Sequence, residues 1–323
     1  MKWKKKMKEV EIGSKEYRIY KQRQYSLKII LNAFYGQLGF ENSRIHSAKC
    51  LGAVTFLGRE LLHHCRKVIE DSGNKVLYED TDGVYVKSNK ESTDEIISEG
   101  IELQKKLNDS FRDFLKKFGI NENKYIQIDF DEAYSKIFFS KVKLRLAGKY
   151  LWKDKKTVDE LKESEKYIVK GFETRRSNNA RISRKVQRKV LEIILSETEP
   201  KNKVFDYVRD VVKGIREYKY PIQDISIPTG VGKNPYTYGE KKKDGSKGGI
   251  PPPIRGIIHS NKFCGENISQ GDKIYYVYVK SSPPDVTTTD VVSWKTKFPF
   301  GYSLDIDTMI DKDIYQKLDS IFE

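Results

Sequence analysis

The stretch KVLYEDTDGVYVKS at 75–88 constrains this chain more than any other. Val76 to Tyr78 and Val84 to Val86 are β-rich flanks around an acidic tip, and aspartates beside a glycine suit a tight turn. The spacing predicts a β-hairpin with Asp80 and Asp82 at its end. Residues two apart lie on one side of an extended strand, so the two carboxylates are expected to point together into a cleft. Two such anions repel unless a cation lies between them, and hard cations such as Mg²⁺ take carboxylate oxygens. Read alone, Asp-Thr-Asp-Gly is also ordinary turn chemistry, so its neighbours decide.

Helical patterns flank the hairpin. Residues 1–36 read as mostly helical, with Leu27, Ile30, Leu31 and Phe34 at helical spacing and Gly36 and Gly39 breaking the pattern. Residues 46–71 carry a second stripe, including Leu51, Gly58, Leu61, Cys65 and Ile69, with Gly58 expected to admit a close neighbour. Ser72-Gly73-Asn74 closes that helix. A third helix is predicted at 93–118, then strands at 125–130 and 133–139. Residues 179–217 read as two helices broken near Pro200, 236–253 as a Gly/Lys/Pro-rich loop, 271–281 as a strand, and the residues from Asp307 on as a short amphipathic helix. No internal repeat occurs.

Composition narrows the partners. The net charge is +15 and a third of the residues are charged, a balance that suits the phosphates of a nucleic acid. Three scattered cysteines form neither a disulfide framework nor a zinc spacing. No apolar run approaches the ~20 residues of a membrane helix, so no membrane partner is expected.

Five motifs in order carry a resemblance. Lys28-Ile-Ile-Leu-Asn32-Ala33-Phe34-Tyr35-Gly36 is similar to the fingers signature of family B DNA polymerases, with Ala33 in place of the usual serine. Tyr78-Glu79-Asp80-Thr81-Asp82-Gly83 resembles the palm signature Tyr-Gly-Asp-Thr-Asp-Ser. Lys143-Leu-Arg145-Leu-Ala-Gly148 resembles the primer-gripping Lys-Lys-Arg-Tyr-Ala-Gly, with Leu144 and Leu146 departing from it. Lys170-Gly171-Phe172-Glu173 with Arg175 and Arg176 resembles the palm-to-thumb segment, and GDKIYYVYVK a thumb strand.

The resemblance implies an α+β, right-hand polymerase fold fragment: an antiparallel palm sheet with packed helices and a mainly helical thumb. Its domains would be fingers at 1–38, palm at 39–150 and thumb at 151–323. The implied reaction adds a deoxynucleotide to a primer 3′-hydroxyl by two-metal transfer with two Mg²⁺ ions. Asp82 would be the chief metal ligand and Asp80 a weaker one. Lys28 would bind the triphosphate, Asn32 and Tyr35 would line the nascent base-pair pocket, and Lys4 would be a second triphosphate lysine, with Lys2, Lys5 and Lys6 as alternative matches. Lys143, Arg145 and Gly148 would grip the primer; Lys170, Arg175 and Arg176 would contact phosphate.

The other palm aspartate, expected in an Asp-x-x-Ser-Leu-Tyr-Pro-Ser block, does not occur in these residues. The expectation is therefore one subunit of a split polymerase, inactive without a second polypeptide that brings the N-terminal, exonuclease and remaining palm and fingers parts, with a truncated gene as the other reading of the missing block. Primer–template DNA, deoxynucleoside triphosphates and a sliding clamp are the further partners implied. The setting would be cytoplasmic in an archaeal or viral context and nuclear in a eukaryotic one. The alternative is a non-catalytic DNA-binding module derived from a polymerase.

Overall fold

The computed structural model describes the chain except residues 1, 2, 4, 5, 8, 124, 141–144, 154, 155, 240–248 and 323, and the side chains of 164 and 320. The chain divides into two compact units, Met1–Phe130 and Asp131–Glu323. Helix and antiparallel sheet occur in both.

In the first unit, α1 (Lys15–Gly39) starts where Ser14 Oγ accepts from the Tyr17 amide at 3.1 Å. It runs through Gly36, where the sequence pattern predicts a break, and stops at Phe40. None of its residues is buried. Helix α2 (Ala48–Asp71) is capped in the same way by Ser47, and α3 (Thr93–Lys116) by Ser92. Ser92 Oγ accepts from the Glu95 amide and donates to the Glu95 carboxylate, satisfying an end amide that would lack a partner. Strands β1 (Lys75–Asp80) and β2 (Gly83–Lys87) form the expected hairpin. Its Val76, Val84 and Val86 pack with Cys65 and Ile69 of α2 and Leu107 and Phe111 of α3. A Cβ at Gly58 would meet nothing within 4 Å, so the close approach expected there is not made by the described residues.

The strand expected at 125–130 does not form. Its backbone groups are taken by side chains instead: Asn108 holds both the amide and carbonyl of Ile128, and Gln104 accepts from the Phe130 amide. A segment tied in this way to side chains of α3 leaves no ladder for a strand partner.

The second unit is built on two four-stranded sheets. In one, β3 (Glu132–Phe139) pairs with β4 (Leu146–Lys153), which also pairs with β5 (Lys156–Thr157) and β6 (Tyr167–Lys170). Helix α4 (Arg181–Ser196) buries seven residues, and α5 (Pro200–Arg216) follows with proline in its first turn, where the missing N–H is harmless. After the short α6 (Ile222–Ile225), the other sheet takes β7 (Ile227–Gly230), β8 (Lys273–Ser281), β9 (Val291–Trp294) and β10 (Ser303–Leu304). Helix α7 (Pro252–Phe263) replaces the end of the predicted loop; Pro252 and Pro253 occupy its first positions. The chain closes with α8 (Ile306–Ile310), a π-helical turn at Asp311–Tyr315 and α9 (Gln316–Phe322). Val190 and Leu191 of α4, Ala147 of β4 and Ile310, Ile314 and Leu318 of this last segment share one core. No described helix is long and apolar enough to cross a membrane.

Candidate active site

The hairpin is irregular where its chemistry lies. Val76 pairs with Val86 and Tyr78 with Tyr85, so β1 spends one residue more than β2 and bulges at Leu77. In a regular strand Val76, Tyr78 and Asp80 would share a face. The bulge changes the parity. Glu79 stands opposite Val84, whose side chain joins the helix-facing core. There the Glu79 carboxylate accepts from Arg66 Nε of α2 at 2.8 Å. Burial pushes the neighbouring Cys65 thiol up to about 11, with the Glu79 charge adding to it. Tyr78, Tyr85 and Asp80 thereby fall on the face away from the helices. The two tyrosine rings lie 5.9 Å apart, and burial followed by the Asp80 charge raises the Tyr78 phenol.

The tip departs from the extended geometry expected of it. β1 ends at Asp80, and the Asp82 amide donates to the Asp80 carbonyl, closing a γ-turn about Thr81. Thr81 has φ +47°, a left-handed conformation rare for a β-branched residue. Its hydroxyl donates to Asp80 Oδ1 at 2.9 Å. Asp80 is half-buried and Asp82 exposed. The pair is held together by a strained two-residue turn and not by strand alternation. Among the described residues neither carboxylate is in an ion pair, and no group of three acidic, histidine or cysteine side chains could hold a metal. Two carboxylates of acceptor-only oxygens, one of them holding the Thr81 hydroxyl, fit a hard divalent cation, and they leave its ligand shell to be completed by other groups.

Lys28, Asn32 and Tyr35 lie at i, i+4 and i+7 on α1, one stripe of one helix, and all three are exposed. Lys4 lies outside the described residues. Lys6, an alternative match, has its ammonium 5.7 Å from the ring centres of both Trp3 and Tyr20.

The second unit gathers most of the expected DNA contacts. Leu146 pairs with Lys170 across β4 and β6, and the Arg145 guanidinium lies over the Phe172 ring at 5.8 Å. Glu173 accepts from Lys317 at 2.9 Å and pairs with Arg176 at 3.7 Å. Burial alone would raise its carboxyl; the Lys317 hydrogen bond and the charges of Lys317, Arg176 and Arg145 outweigh it and hold the carboxyl below its ordinary value. Arg175 and Lys170 are exposed, and Lys143 lies outside the described residues. Gly148 has a packing reason: a Cβ there would come within 2.7 Å of the Tyr134 ring, which stacks on Tyr150. Arg66, Leu77 and Lys317 touch the expected site residues or shape their backbone and were not singled out in the sequence, because each acts through a partner outside its own motif.

Comparison with known proteins agrees with this architecture. The chain is 32% identical over 279 residues to a DNA polymerase of Archaeoglobus fulgidus, covering 85% of this chain and 30% of that protein. It is 26% identical over 308 residues to DNA polymerase 2 of Aeropyrum pernix, covering 95% and 32%. Against the DNA polymerase alpha catalytic subunit of Xenopus laevis the identity is 24%, covering 84% and 17%. The chain thus spans a third or less of the length of these relatives. In fold it matches the family B DNA polymerase of Pyrobaculum calidifontis with a TM-score of 0.60 at 23% identity, over 100% of this chain and 36% of that one. The α+β architecture is that of a fragment of the polymerase fold. With the model of that family matched along residues 1–323, the chain belongs to DNA polymerase family B.

Proposed function

We propose that this chain is the C-terminal catalytic part of a DNA-templated DNA polymerase that extends a primer 3′-hydroxyl with deoxynucleotides. The observation that carries the reading is the Asp80–Asp82 tip, where the Leu77 bulge turns Asp80 to the face away from the helices, in a chain of this family. Asp82 and Asp80 would hold Mg²⁺, whose chemistry when bound is to stabilise charge on the attacking and leaving oxygens. The remaining palm aspartate is supplied from outside these 323 residues, in this proposal by a partner polypeptide. In domain terms the proposal keeps 1–38 as fingers, 39–150 as palm and 151–323 as thumb.

The chain's own residues do the rest. Lys28 offers a fixed positive charge to the triphosphate and offsets the charge that develops on the leaving pyrophosphate. Asn32, on the same stripe, and Tyr35 border the nascent pair, where the Tyr35 ring would crowd a 2′-hydroxyl. Arg145, Lys170, Arg175 and Arg176 hold backbone phosphates, with Lys143 as a further contact; Glu173 and Lys317 fix the segment that carries them. These contacts position DNA without reading its sequence.

The test is primer extension. The chain alone is expected to bind primer–template DNA without extending it, and addition of the polypeptide carrying the other palm aspartate restores extension. Extension by the purified chain alone would overturn the shared-site part of the proposal. Binding without extension in the reconstituted complex would favour the non-catalytic DNA-binding module.

A further inference from the structure

At the start of α4 lies a cleft of about 130 Å³, lined by Ser177, Arg181, Arg184, Gln223, Ser226, Pro228 and Tyr275. Three features of it point the same way. The N-cap of the 16-residue α4 is Ala180, which offers no side-chain acceptor, and the first turn carries no acidic residue. Its end amides and the positive end of the helix dipole therefore lack the carboxylate that such ends usually attract. Two arginines stand in that turn and the next. The third feature is independent of the helix. Ser226 is 1% exposed, and among the described residues its hydroxyl has no hydrogen-bond partner; the buried Nε–H of Arg184 has none either. The Ser226 amide is already used, donating to the Ile222 carbonyl, so its hydroxyl alone is idle.

One anion of the chain stands nearby. Asp224 is 3.7 Å from Arg181 and 3.2 Å from Lys185. It satisfies neither Arg184 Nε nor Ser226 Oγ, so it balances the rim and leaves the floor of the cleft unanswered. Idle donors from two elements, beside a helix N-terminus, call for a ligand that only accepts hydrogen bonds and carries negative charge. A space of about 130 Å³ holds roughly four water-sized groups, which suits the four oxygens of one tetrahedral phosphate.

We propose that this cleft binds a single phosphate group, either a backbone phosphate of a nucleic acid or free inorganic phosphate. Arg184 and the Ser226 hydroxyl donate to it from the floor, Arg181 from the rim, and the first amides of α4 from the helix end. The site stands on these residues and does not depend on the polymerase reading.

The experiment is a titration of the 323-residue chain with inorganic phosphate at constant ionic strength, read by calorimetry and by the amide resonances of Ile182 and Ser183. The expected result is saturable binding that shifts those two amides. Arg184→Gln should weaken it by about tenfold or more, the loss of one charge-assisted hydrogen bond. Ser226→Ala should weaken it several-fold without lowering the melting temperature of the phosphate-free chain. This smaller change keeps the test decisive if Arg184→Gln folds poorly. Repeating the titration with saturating duplex DNA identifies the source: displacement of phosphate, with a DNA salt slope lowered by about one in Arg184→Gln, assigns a backbone phosphate. Binding undisturbed by duplex assigns free phosphate. Unsaturable shifts, or an affinity equal to the parent's in both variants, would overturn the site.

Discussion

Helices α1 and α4 make opposite use of apolar residues. α1 has 25 residues and buries none, although Ile30, Leu31 and Phe34 are 62%, 71% and 53% exposed. α4 has 16 residues and buries seven, with Val190 and Leu191 fully inside. The same contrast runs through their units. In the first, the expected chemical groups Lys28, Asn32, Tyr35 and Asp82 are exposed, and the tip between the carboxylates stores strain at Thr81. In the second, the segment of Arg175 and Arg176 is tied by Glu173 to Lys317 beside a closed core, though the arginines themselves are exposed. The groups proposed to meet a nucleotide lie outside the packing, and the segment proposed to hold DNA is tied to it through Glu173. Substitutions of those exposed groups of the first unit should therefore change chemistry and spare stability; substitutions of the packed residues of the second should change stability first.

The largest expected effect is on chemistry alone. Asp82→Ala in the reconstituted complex should abolish extension while its melting temperature stays at the parent value, because an exposed carboxylate without partners contributes little to folding. A melting temperature that fell with activity would break the contrast; calorimetry beside a primer-extension assay decides. Lys28→Ala comes next, with a fall of roughly 10²–10³ in kcat/KM for the nucleotide, as expected when one charge-stabilising contact is lost. Unchanged nucleotide kinetics would remove Lys28 from the site.

The second unit should answer differently. Gly148→Ala would press a methyl into the Tyr134 ring, and overpacking of this kind costs about 1–3 kcal/mol. Chemical denaturation measures it, and an unchanged midpoint would mean that Gly148 is not needed for packing. A pH-dependent effect concerns Asp313, 2% exposed in the π-helical turn, with Ser183 Oγ 3.4 Å from one carboxylate oxygen and no partner for the other among the described residues. Burial pushes its carboxyl up to about 8, against the opposing pull of Ser183 and Lys317. A carboxyl raised on folding binds its proton more tightly in the folded chain. Its contribution is full below the ordinary value of 3.8 and is lost as pH rises toward about 8. Asp313→Asn should remove that decline, so its melting temperature should gain on the parent's between pH 4 and 8. Parallel profiles would show that Asp313 titrates normally.

Legibility in the sequence followed locality. The hairpin, α2 and α3 were readable because apolar period, turn residues and serine caps all act within a few residues. The Pro252–Pro253 start of α7 was also a local signal, hidden by the Gly/Lys-rich loop before it. What was not legible depends on pairing. The Leu77 bulge exists only in the register of β1 on β2, and it alone turns Asp80 away from the core face. The 125–130 segment has strand-like composition, but Asn108 and Gln104 claim its backbone. Strand β4 was hidden inside a motif, and the packing of Gly148 against the Tyr134 ring shows only once β3 is paired with β4.

The central claim is that the carboxylates at the hairpin tip hold the metals of nucleotide transfer. Its most direct test is single-turnover incorporation of one nucleotide by the reconstituted complex, titrated with Mg²⁺ and compared among the parent, Asp80→Asn and Asp82→Asn. Asp82→Asn should lose the reaction at every Mg²⁺ concentration, and Asp80→Asn should retain a slower reaction that needs more Mg²⁺. A near-normal rate and an unshifted Mg²⁺ dependence in Asp82→Asn would reduce the tip to an acidic turn and contradict the account.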